Sequence, residues 1–316
     1  GRIGHRHMIN GAWNYLKHCT MRQRVVKYQE KWRHLWVPHV LPPAKAVAVI
    51  STAFRKIFMN IDALNRNYSK IGSGLIEKMY SEDFLSLGGR ASTDILAREA
   101  AITQDSRVLD VGCGLGGGSL HLANTIHCHV MGLDIVQSNV DEATVRAKSR
   151  ALDHLVSFHQ GDATAMPFAD GTFDIIISQD AWCHVPDKDR LVADCARVIA
   201  PGGTLAFTDW LQIGEMTAAE SAAVDGALVA ANIATPDSYG GLLGKHGFTI
   251  SQQYDTSADY QEQYRAIMVR LESMKDDISE TYSPRVYGVM QDTNAIIQRA
   301  FEEKKLGGGR IIARKT

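Results

Sequence analysis

The stretch Val108–Ala123 constrains the fold of this chain more than any other. It opens with the apolar Val108, Leu109 and Val111, as in a strand that is covered on both faces. Five glycines follow within seven residues, which frees the backbone dihedral angles and lets a ligand approach the main chain closely. A helix is expected to begin near Gly118. A glycine loop that opens a helix is typical of nucleotide-binding sites.

The segments after this loop alternate between strand and helix patterns. Strands are predicted at residues 108–111, 129–135, 156–160, 173–178 and 204–209. Helices fill most of the intervals, among them one at about 138–150 with Ser138 as the predicted N-cap. The alternation implies right-handed crossovers and an α/β fold with a parallel sheet. Two further strands are predicted near the C-terminus, at 248–254 and, after the glycine triplet 307–309, at 310–315. A long charged helix with Tyr, Met and Leu on one stripe is predicted at 260–282. Ligands of such sheets bind beyond the carboxyl ends of the strands.

Acidic residues stand at the ends of three consecutive predicted strands: Asp110, Asp134 and Asp162. Asp134 follows the loop by about 20 residues, where an acid can accept from both ribose hydroxyls. Asp162 is placed to accept from an adenine amino group, whereas Asp110 would repel the phosphates of a dinucleotide. The three acids favour a ligand with a cationic centre and a free amino group, S-adenosylmethionine rather than NAD. Each acid taken alone could equally cap a helix.

The composition excludes several classes of protein. Five cysteines without C-x-x-C spacing argue against a disulfide framework or a zinc site and for a reducing, cytoplasmic location, and no metal is expected. No apolar run approaches the roughly 18 residues that span a bilayer. The predicted catalytic region is acidic overall, which argues against nucleic acid as a partner.

The first sixty residues differ in charge from the rest, with 11 Lys and Arg against the single acid Glu30. Residues 1–8 look like a cloning remnant. Residues 9–40 and 44–59 have amphipathic helical patterns that are separated by prolines. We expect these helices to join two chains in a homodimer or to cover the active site. Docking of this basic segment on an anionic membrane is the less favoured alternative.

A resemblance to class I S-adenosylmethionine-dependent methyltransferases extends over about residues 84–212. Its motifs are Val108–Gly118, Gly132-Leu133-Asp134, Gly161-Asp162-Ala163, Phe173-Asp174 and Pro201-Gly202-Gly203. The resemblance implies a Rossmann-like fold whose sheet is mostly parallel, with an antiparallel last strand. It implies four regions: an N-terminal helical extension, a cover with a lead-in helix, a cofactor-binding core, and a substrate cap with closing strands (1–66, 67–106, 107–212, 213–316). The implied cofactor-binding residues are Asp110, Gly112, Gly114, Asp134, Ile135, Asp162, Ala163 and Gln179.

A narrower resemblance links the chain to the phosphoethanolamine and sarcosine/dimethylglycine N-methyltransferases. It rests on Ser178–His184, Thr208-Asp209-Trp210, Asn67-Tyr68 and Phe84–Gly89. In the phosphoethanolamine enzymes a tyrosine and a histidine close over the site and assist catalysis, and these positions fall on Tyr68 and His184. The acid that faces the substrate amino group falls on Asp180. The resemblance therefore implies three catalytic residues, although a capping Asp and a structural His remain the alternative.

The sequence departs from this narrower pattern where the phosphate is held. Trp210 replaces a tyrosine, and Val229, Ala230 and Ala231 stand where an arginine and a tyrosine are expected. Apolar side chains cannot compensate a phosphate dianion. We therefore expect a small carboxylate-bearing acceptor. The candidate substrate-binding residues are Trp210, Arg265 and Arg285, with Tyr264 as a further candidate.

The acceptor atom is left open between a thioether sulfur and an amine nitrogen. Either product is an onium compound, a betaine or sulfonio acid of the osmolyte type, and methylthio-acid S-methylation in dimethylsulfoniopropionate synthesis is one example. The indole face of Trp210 would suit such a cation. The alternatives are a phosphoethanolamine-type N-methyltransferase, a membrane-associated lipid or quinone methyltransferase, and a cofactor-binding scaffold without activity.

Overall fold

The computed structural model describes residues 61–316. Its strands are β1 Arg107–Val111, β2 His129–Asp134, β3 Val156–Gln160, β4 Phe173–Gln179, β5 Ile199–Gln212, β6 Phe248–Asp255 and β7 Leu306–Lys315. They form one sheet in the order β3-β2-β1-β4-β5-β7-β6. The first five strands pair in parallel, and β7 runs antiparallel to both β5 and β6. The predicted Rossmann-like methyltransferase fold is confirmed.

Helices follow β1, β2 and β4 as the alternating pattern predicts, whereas β3 leads to β4 without one. Their bounds are α1 Lys70–Met79, α2 Gly89–Glu99, α3 Gly117–Ile126, α4 Gln137–Ser149, α5 Lys188–Val198, α6 Ala218–Leu228, α7 Pro236–Lys245, α8 Ser257–Ser273, α9 Lys275–Thr281 and α10 Pro284–Glu302. Residues 61–67 are helical as well. None of the helices between residues 61 and 316 combines the length and the apolar character that crossing a membrane requires.

Successive residues of a strand point to opposite sides of the sheet, and apolar clusters cover both of its faces. Leu109 of β1 and Ile176 of β4 belong to one buried apolar cluster. Their chain neighbours Val108 and Ile177 belong to a second cluster. The strands therefore read as continuous apolar runs, and the polar groups gather at the strand ends.

A third apolar cluster joins the C-terminal helices to β5. It contains Trp210, Tyr260, Tyr264, Leu271 and Phe301. We call the helices of residues 213–302 the cap. The predicted single helix over 260–282 is divided in the structure: α8 ends at Ser273 and α9 begins at Lys275.

The glycine triplet before the predicted last strand lies inside β7 instead of leading into it. A Cβ on Gly308 would come within 2.5 Å of the Tyr260 ring, and one on Gly309 within 2.3 Å of Leu211. The absence of side chains here lets α8 lie directly against the strand. Glycine is required here for close packing within a strand. The sequence pattern had suggested a turn, because glycine runs are common in turns.

The segment of residues 67–106, which we call the cover, is fastened to α4 by ion pairs. Arg146 contacts Glu77 at 2.5 Å and Asp83 at 2.9 Å, and Arg150 contacts Asp83 at 2.7 Å. Asp83 is buried, and its pKa is lowered because hydrogen bonds to the two guanidinium groups outweigh the effect of burial. Ser73 Oγ also donates to Asn139 Oδ1 at 2.8 Å.

The predictions for residues 1–60 lie outside the described part of the chain. They concern the two N-terminal helices, the homodimer and the membrane contact. These and the cytoplasmic location stay predictions.

Candidate active site

The glycine loop is held between β2 and the residues that follow β4. Gly112 has a φ of 81°, in the left-handed region that favours glycine. A Cβ on Gly112 would lie 2.3 Å from the Cβ of Ala181. The N–H of Gly112 donates to the Leu133 carbonyl at 2.7 Å. Both the conformation and the packing of the loop therefore require glycine at this position.

Asp134, at the end of β2, ties the loop to the next helix. One carboxylate oxygen accepts from the N–H of Gly114 at 2.9 Å, and the other accepts from the N–H of Val136 at 2.8 Å. Asp134 therefore supplies the side-chain contact at the start of α4, where Ser138 was the predicted cap. Burial raises the pKa of Asp134. Each oxygen retains a lone pair, so the carboxylate can still accept from ligand hydroxyls.

Asp110 and Gln179 both lie against the start of α3. A Cβ on Gly118 would be 3.0 Å from Gln179 Oε1 and 3.5 Å from Asp110 Oδ2. Ser119 Oγ donates to Asp110 Oδ2 at 2.7 Å, and Thr93 Oγ1 donates to Gln179 Oε1 at 2.7 Å. Gln179 Nε2 is buried without a hydrogen-bond partner in the described part of the chain.

These two groups fit the amino-acid end of S-adenosylmethionine. A buried donor without a partner costs about 1–3 kcal/mol, which a ligand carboxylate accepting from Gln179 Nε2 would offset. Burial raises the pKa of Asp110 to about 6, so the carboxyl is largely ionised at neutral pH and can receive an ammonium group. A molecule that carries both an ammonium and a carboxylate satisfies the pair.

Asp162, Ala163 and Ile135 lie at the ends of β2 and β3. The N–H and the Oγ1 of Thr164 both donate to Asp162 Oδ1 at 2.8 Å, which leaves Oδ2 for another donor. Ala163 packs against the apolar cluster that contains Leu109 and Ile176. The Ile135 carbonyl accepts from Gln160 Nε2 at 3.1 Å. This arrangement can hold an adenine ring with its amino group toward Asp162.

Tyr68 and His184 meet although 116 residues separate them: Tyr68 OH lies 3.1 Å from His184 Nε2. The other ring nitrogen, His184 Nδ1, lies 3.1 Å from the Val229 carbonyl. Because a carbonyl can only accept, Nδ1 carries the proton, and Nε2 accepts from the tyrosine. Burial lowers the pKa of His184 to about 4 and raises that of Tyr68. Both groups are therefore neutral at physiological pH.

Asp180 is a junction between the cover, β5 and the cap. Its carboxylate accepts from the N–H of Leu87 at 2.8 Å, from Thr208 Oγ1 at 2.9 Å and from Tyr260 OH. Its φ of 54° is unusual for a residue other than glycine. Burial raises its pKa to about 6. Both carboxylate oxygens already accept hydrogen bonds from the protein, so the contacts favour a positioning role over proton removal.

The predicted substrate-binding residues do not gather around this junction. Trp210 is only 4% exposed and packs edge-on against Tyr260 and Tyr264, with ring centroids 5.5 and 6.1 Å apart. Trp210 thus supports Tyr260 from within the cap, and its role in lining the acceptor pocket stays a prediction. Arg265 and Arg285 are exposed on α8 and α10, and their role as acceptor anchors stays a prediction.

Several residues of the site had no recognisable signal in the sequence. Ser119 and Thr93, which hold Asp110 and Gln179, resemble ordinary helix residues. Tyr260 reaches Asp180 from a helix 80 residues further along the chain. The only signal for Tyr260 is its place in the stripe of Tyr, Met and Leu on the helix predicted at 260–282. Such a stripe more often marks a core.

The described residues 61–316 contain no group of three or more His, Cys, Asp or Glu side chains that could hold a metal ion. The polar groups of the site are instead the strand-end carboxylates, an amide, a tyrosine and a histidine. This donor set suits an organic cation that carries hydroxyl and amino groups.

Comparisons with known proteins agree with this geometry. A family model described as a methyltransferase domain matches residues 109–207. The methyltransferase GfsG of Streptomyces halstedii is 29% identical over 67% of this chain and 78% of its own length. Phosphoethanolamine N-methyltransferase 1 of Triticum aestivum is 34% identical over 46% of this chain. The chain spans between 29% and 54% of the length of the phosphoethanolamine enzymes that it matches.

Solved structures share the fold. A phosphoethanolamine N-methyltransferase 2 of Haemonchus contortus superposes with a TM-score of 0.74 at 23% identity, over 81% of this chain and 60% of that one. A protein of Galdieria sulphuraria described as a sarcosine dimethylglycine methyltransferase gives 0.67 at 22% identity, over 72% and 85%. Residues 109–207 therefore match a methyltransferase domain, and the chain shares its fold with these methyltransferase structures.

Proposed function

We propose that this chain transfers a methyl group from S-adenosylmethionine to a small carboxylate-bearing acceptor and makes an onium product. The observation that carries the proposal is the pair formed by Tyr68 and His184. It joins the cover to the residues that follow β4, beside the glycine loop. An acceptor held under this pair would lie next to the cofactor site.

Each part of the site contributes to alignment. When bound, S-adenosylmethionine supplies an electrophilic methyl group on a sulfonium centre. Asp134 and Asp162 would hold its adenosine part, and Asp110 with Gln179 its amino-acid end. The cover would exclude water, and Tyr68 with His184 would orient the acceptor. Rate in such a displacement comes mainly from proximity and alignment of the nucleophile.

The electrostatics of the pair favour a thioether over an amine. An alkylammonium group has a pKa near that of lysine, about 10, and must lose a proton before it can attack. His184, with a pKa of about 4, is a weak base for that task. Asp180 already accepts three hydrogen bonds from the protein. A thioether sulfur has no proton to lose, and neutral surroundings are sufficient for it.

The surroundings of His184 also favour a carboxylate over a phosphate. Ala230 packs against the third apolar cluster, and the Val229 carbonyl accepts a hydrogen bond from His184. No cationic side chain comes from this segment, so a dianion would lack compensation there. We propose a methylthio-acid as the acceptor and an osmolyte of the sulfonio type, such as dimethylsulfoniopropionate, as the eventual product.

A phosphoethanolamine-type N-methyltransferase is the second candidate. It is favoured by the names of several relatives, among them the enzymes of Triticum aestivum and Plasmodium falciparum. In this case the acceptor amine would lie against Asp180 and His184. The phosphate would need cationic partners, whereas Val229, Ala230 and Ala231 supply none, and the nearby Lys188 ammonium donates to backbone carbonyls.

The two candidates are distinguished by an acceptor panel. The full chain is incubated with labelled S-adenosylmethionine and with methylthio-acids, glycine derivatives or phosphoethanolamine, and the labelled product is measured. We expect turnover of a methylthio-acid. Turnover of phosphoethanolamine alone would refute the argument from the missing phosphate contacts.

The first prediction concerns His184→Ala. With a thioether acceptor we expect kcat to fall by about tenfold, since only alignment is lost, whereas an amine acceptor would lose about 100-fold or more. The exposed His154→Ala variant is the control and should match the wild type. An unchanged kcat in His184→Ala would remove this residue from the mechanism.

A further inference from the structure

We propose that Lys188, together with Asp209, is a positioning device that fixes the orientation and the tautomer of the His184 imidazole. Lys188 begins α5, and only 3% of its surface is exposed. A lysine is seldom buried to this extent, because removing its charge from water costs several kcal/mol. Lys188 stands four residues after His184 in the chain.

Lys188 Nζ joins two segments of the chain by donating to backbone carbonyls. It lies 2.7 Å from the Trp182 carbonyl and 3.4 Å from that of Val185, which flank His184 in the turn after β4. It lies 2.5 Å from the Asn232 carbonyl, in the segment that follows α6. The ammonium group therefore holds the turn and the 229–232 segment together.

The same two segments hold His184. The N–H groups of Ala231 and Asn232 donate to the Cys183 carbonyl at 2.9 and 3.1 Å. The Val229 carbonyl accepts from His184 Nδ1. Any shift of the 229–232 segment would therefore move the acceptor that determines which ring nitrogen carries the proton.

Asp209 completes the device from β5. Its Oδ1 accepts from the N–H of Cys183 at 3.1 Å, and its Oδ2 accepts from Tyr239 OH at 2.5 Å. The Tyr239 ring centroid lies 5.9 Å from Lys188 Nζ. The carboxylate offsets the buried ammonium charge, and its contact with Cys183 also holds the turn.

The inference rests on the role proposed for His184, and its first test needs no acceptor. The full chain, labelled with ¹⁵N-histidine and saturated with S-adenosylhomocysteine, is compared as wild type, Lys188→Met and Lys245→Met by imidazole NMR. Lys245 is the control, because its ammonium pairs with Asp189 on the surface. The His184 signal is assigned by its loss in His184→Ala.

We expect the wild type and Lys245→Met to hold the proton on Nδ1 and Lys188→Met to show a mixture of tautomers. An unchanged His184 spectrum in Lys188→Met would overturn the inference. If Lys188→Met does not fold, Lys188→Gln, which keeps an amide donor, is measured in the same way.

The second test is a double-mutant cycle with the panel acceptor that the wild type methylates. Lys188→Met should lower kcat by about tenfold and leave the affinity for S-adenosylhomocysteine within twofold. In the His184→Ala background the same change should cost less than twofold, because its effect passes through the histidine. If the two substitutions lower kcat in the double variant by the product of their separate effects, the inference is overturned. If the chain methylates no acceptor of the panel, the result counts against the proposed function. The NMR experiment still tests the positioning role of Lys188 in that case.

Discussion

The cofactor side and the acceptor side of this site are built in different ways. On the cofactor side, Asp134 accepts from Gly114 and Val136, which lie 20 and two residues away in the chain. On the acceptor side, Tyr68 meets His184 across 116 residues, and Asp180 meets Leu87 across 93. The first is a short motif at the ends of adjacent parallel strands. The second exists only where the cover, the sheet and the cap come together.

The two sides should therefore differ in how they respond to substitutions. A change on the cofactor side acts on a proposed ligand contact and on local hydrogen bonds of the glycine loop and the adjoining helices. A change on the acceptor side acts through packing, because Asp180 links three separate regions. The two sides should therefore respond differently in binding, stability and pH dependence.

The largest expected effect is on cofactor binding by Asp134→Ala. The loss of charged hydrogen bonds to the ribose, about 3 kcal/mol, should weaken the affinity for S-adenosylhomocysteine by about 100-fold in calorimetry. The control is Asp141→Ala on α4, whose exposed carboxylate accepts only from Gln137 among the described side chains. An affinity that falls less than fivefold in Asp134→Ala would break the assignment of this residue to the ribose.

An intermediate effect, on stability and acceptor turnover, is expected from Gly308→Ala. The added Cβ would overlap the Tyr260 ring and displace the partner of Asp180. We expect a loss of about 2 kcal/mol and a lower Tm, by roughly 4–8 °C, together with reduced kcat. Cofactor affinity should change little.

The matched control for this substitution is Gly288→Ala in α10, where an added Cβ has no neighbour within 4 Å. This change should be neutral or stabilise the helix by up to about 1 kcal/mol. Equal Tm values for the two variants would show that the contact between β7 and Tyr260 does not support the acceptor side.

The smallest effect is a shift in the pH dependence of cofactor binding by Ser119→Ala. The hydroxyl stabilises the ionised form of Asp110, whose pKa is about 6 because of burial. Its removal raises this pKa further, so the carboxylate becomes protonated at higher pH and loses the ligand ammonium. Affinity should fall as the pH drops through 6 in the wild type, and the midpoint should lie higher in the variant.

This shift is measured by titrating S-adenosylhomocysteine between pH 5.5 and 8, with Ser149→Ala on the surface of α4 as the control. The wild type and Ser119→Ala should bind S-adenosylhomocysteine equally at pH 8, and their affinities should differ by a few fold near pH 6.5. A midpoint that moves downward, or does not move, would contradict the placement of Asp110 at the ammonium.

The cofactor side could be predicted from the sequence because its signals are local. The glycines, Asp110, Asp134 and Asp162 stand at strand ends, and parallel strands bring those ends to one edge. Tyr68 and His184 were predicted from their resemblance to a known pair, and the structure brings them together.

The rest of the acceptor side could not be predicted in this way. Which atoms surround Asp180, or that Trp210 is enclosed by the cap, depends on contacts between distant segments. The glycines of β7 were misread for the same reason. Their requirement comes from the Tyr260 ring of another element, and the sequence around them does not record it.

The position of β7 in the sheet has a consequence for folding. This strand comes last among the described residues, yet it pairs between β5 and β6 and supports Tyr260 beneath Gly308. Closing such long loops costs entropy before the contacts compensate it, so these pairings form late. A chain that has completed only β1 to β5 would already possess the carboxylates for the cofactor. We expect affinity for the cofactor to return before catalytic competence during refolding.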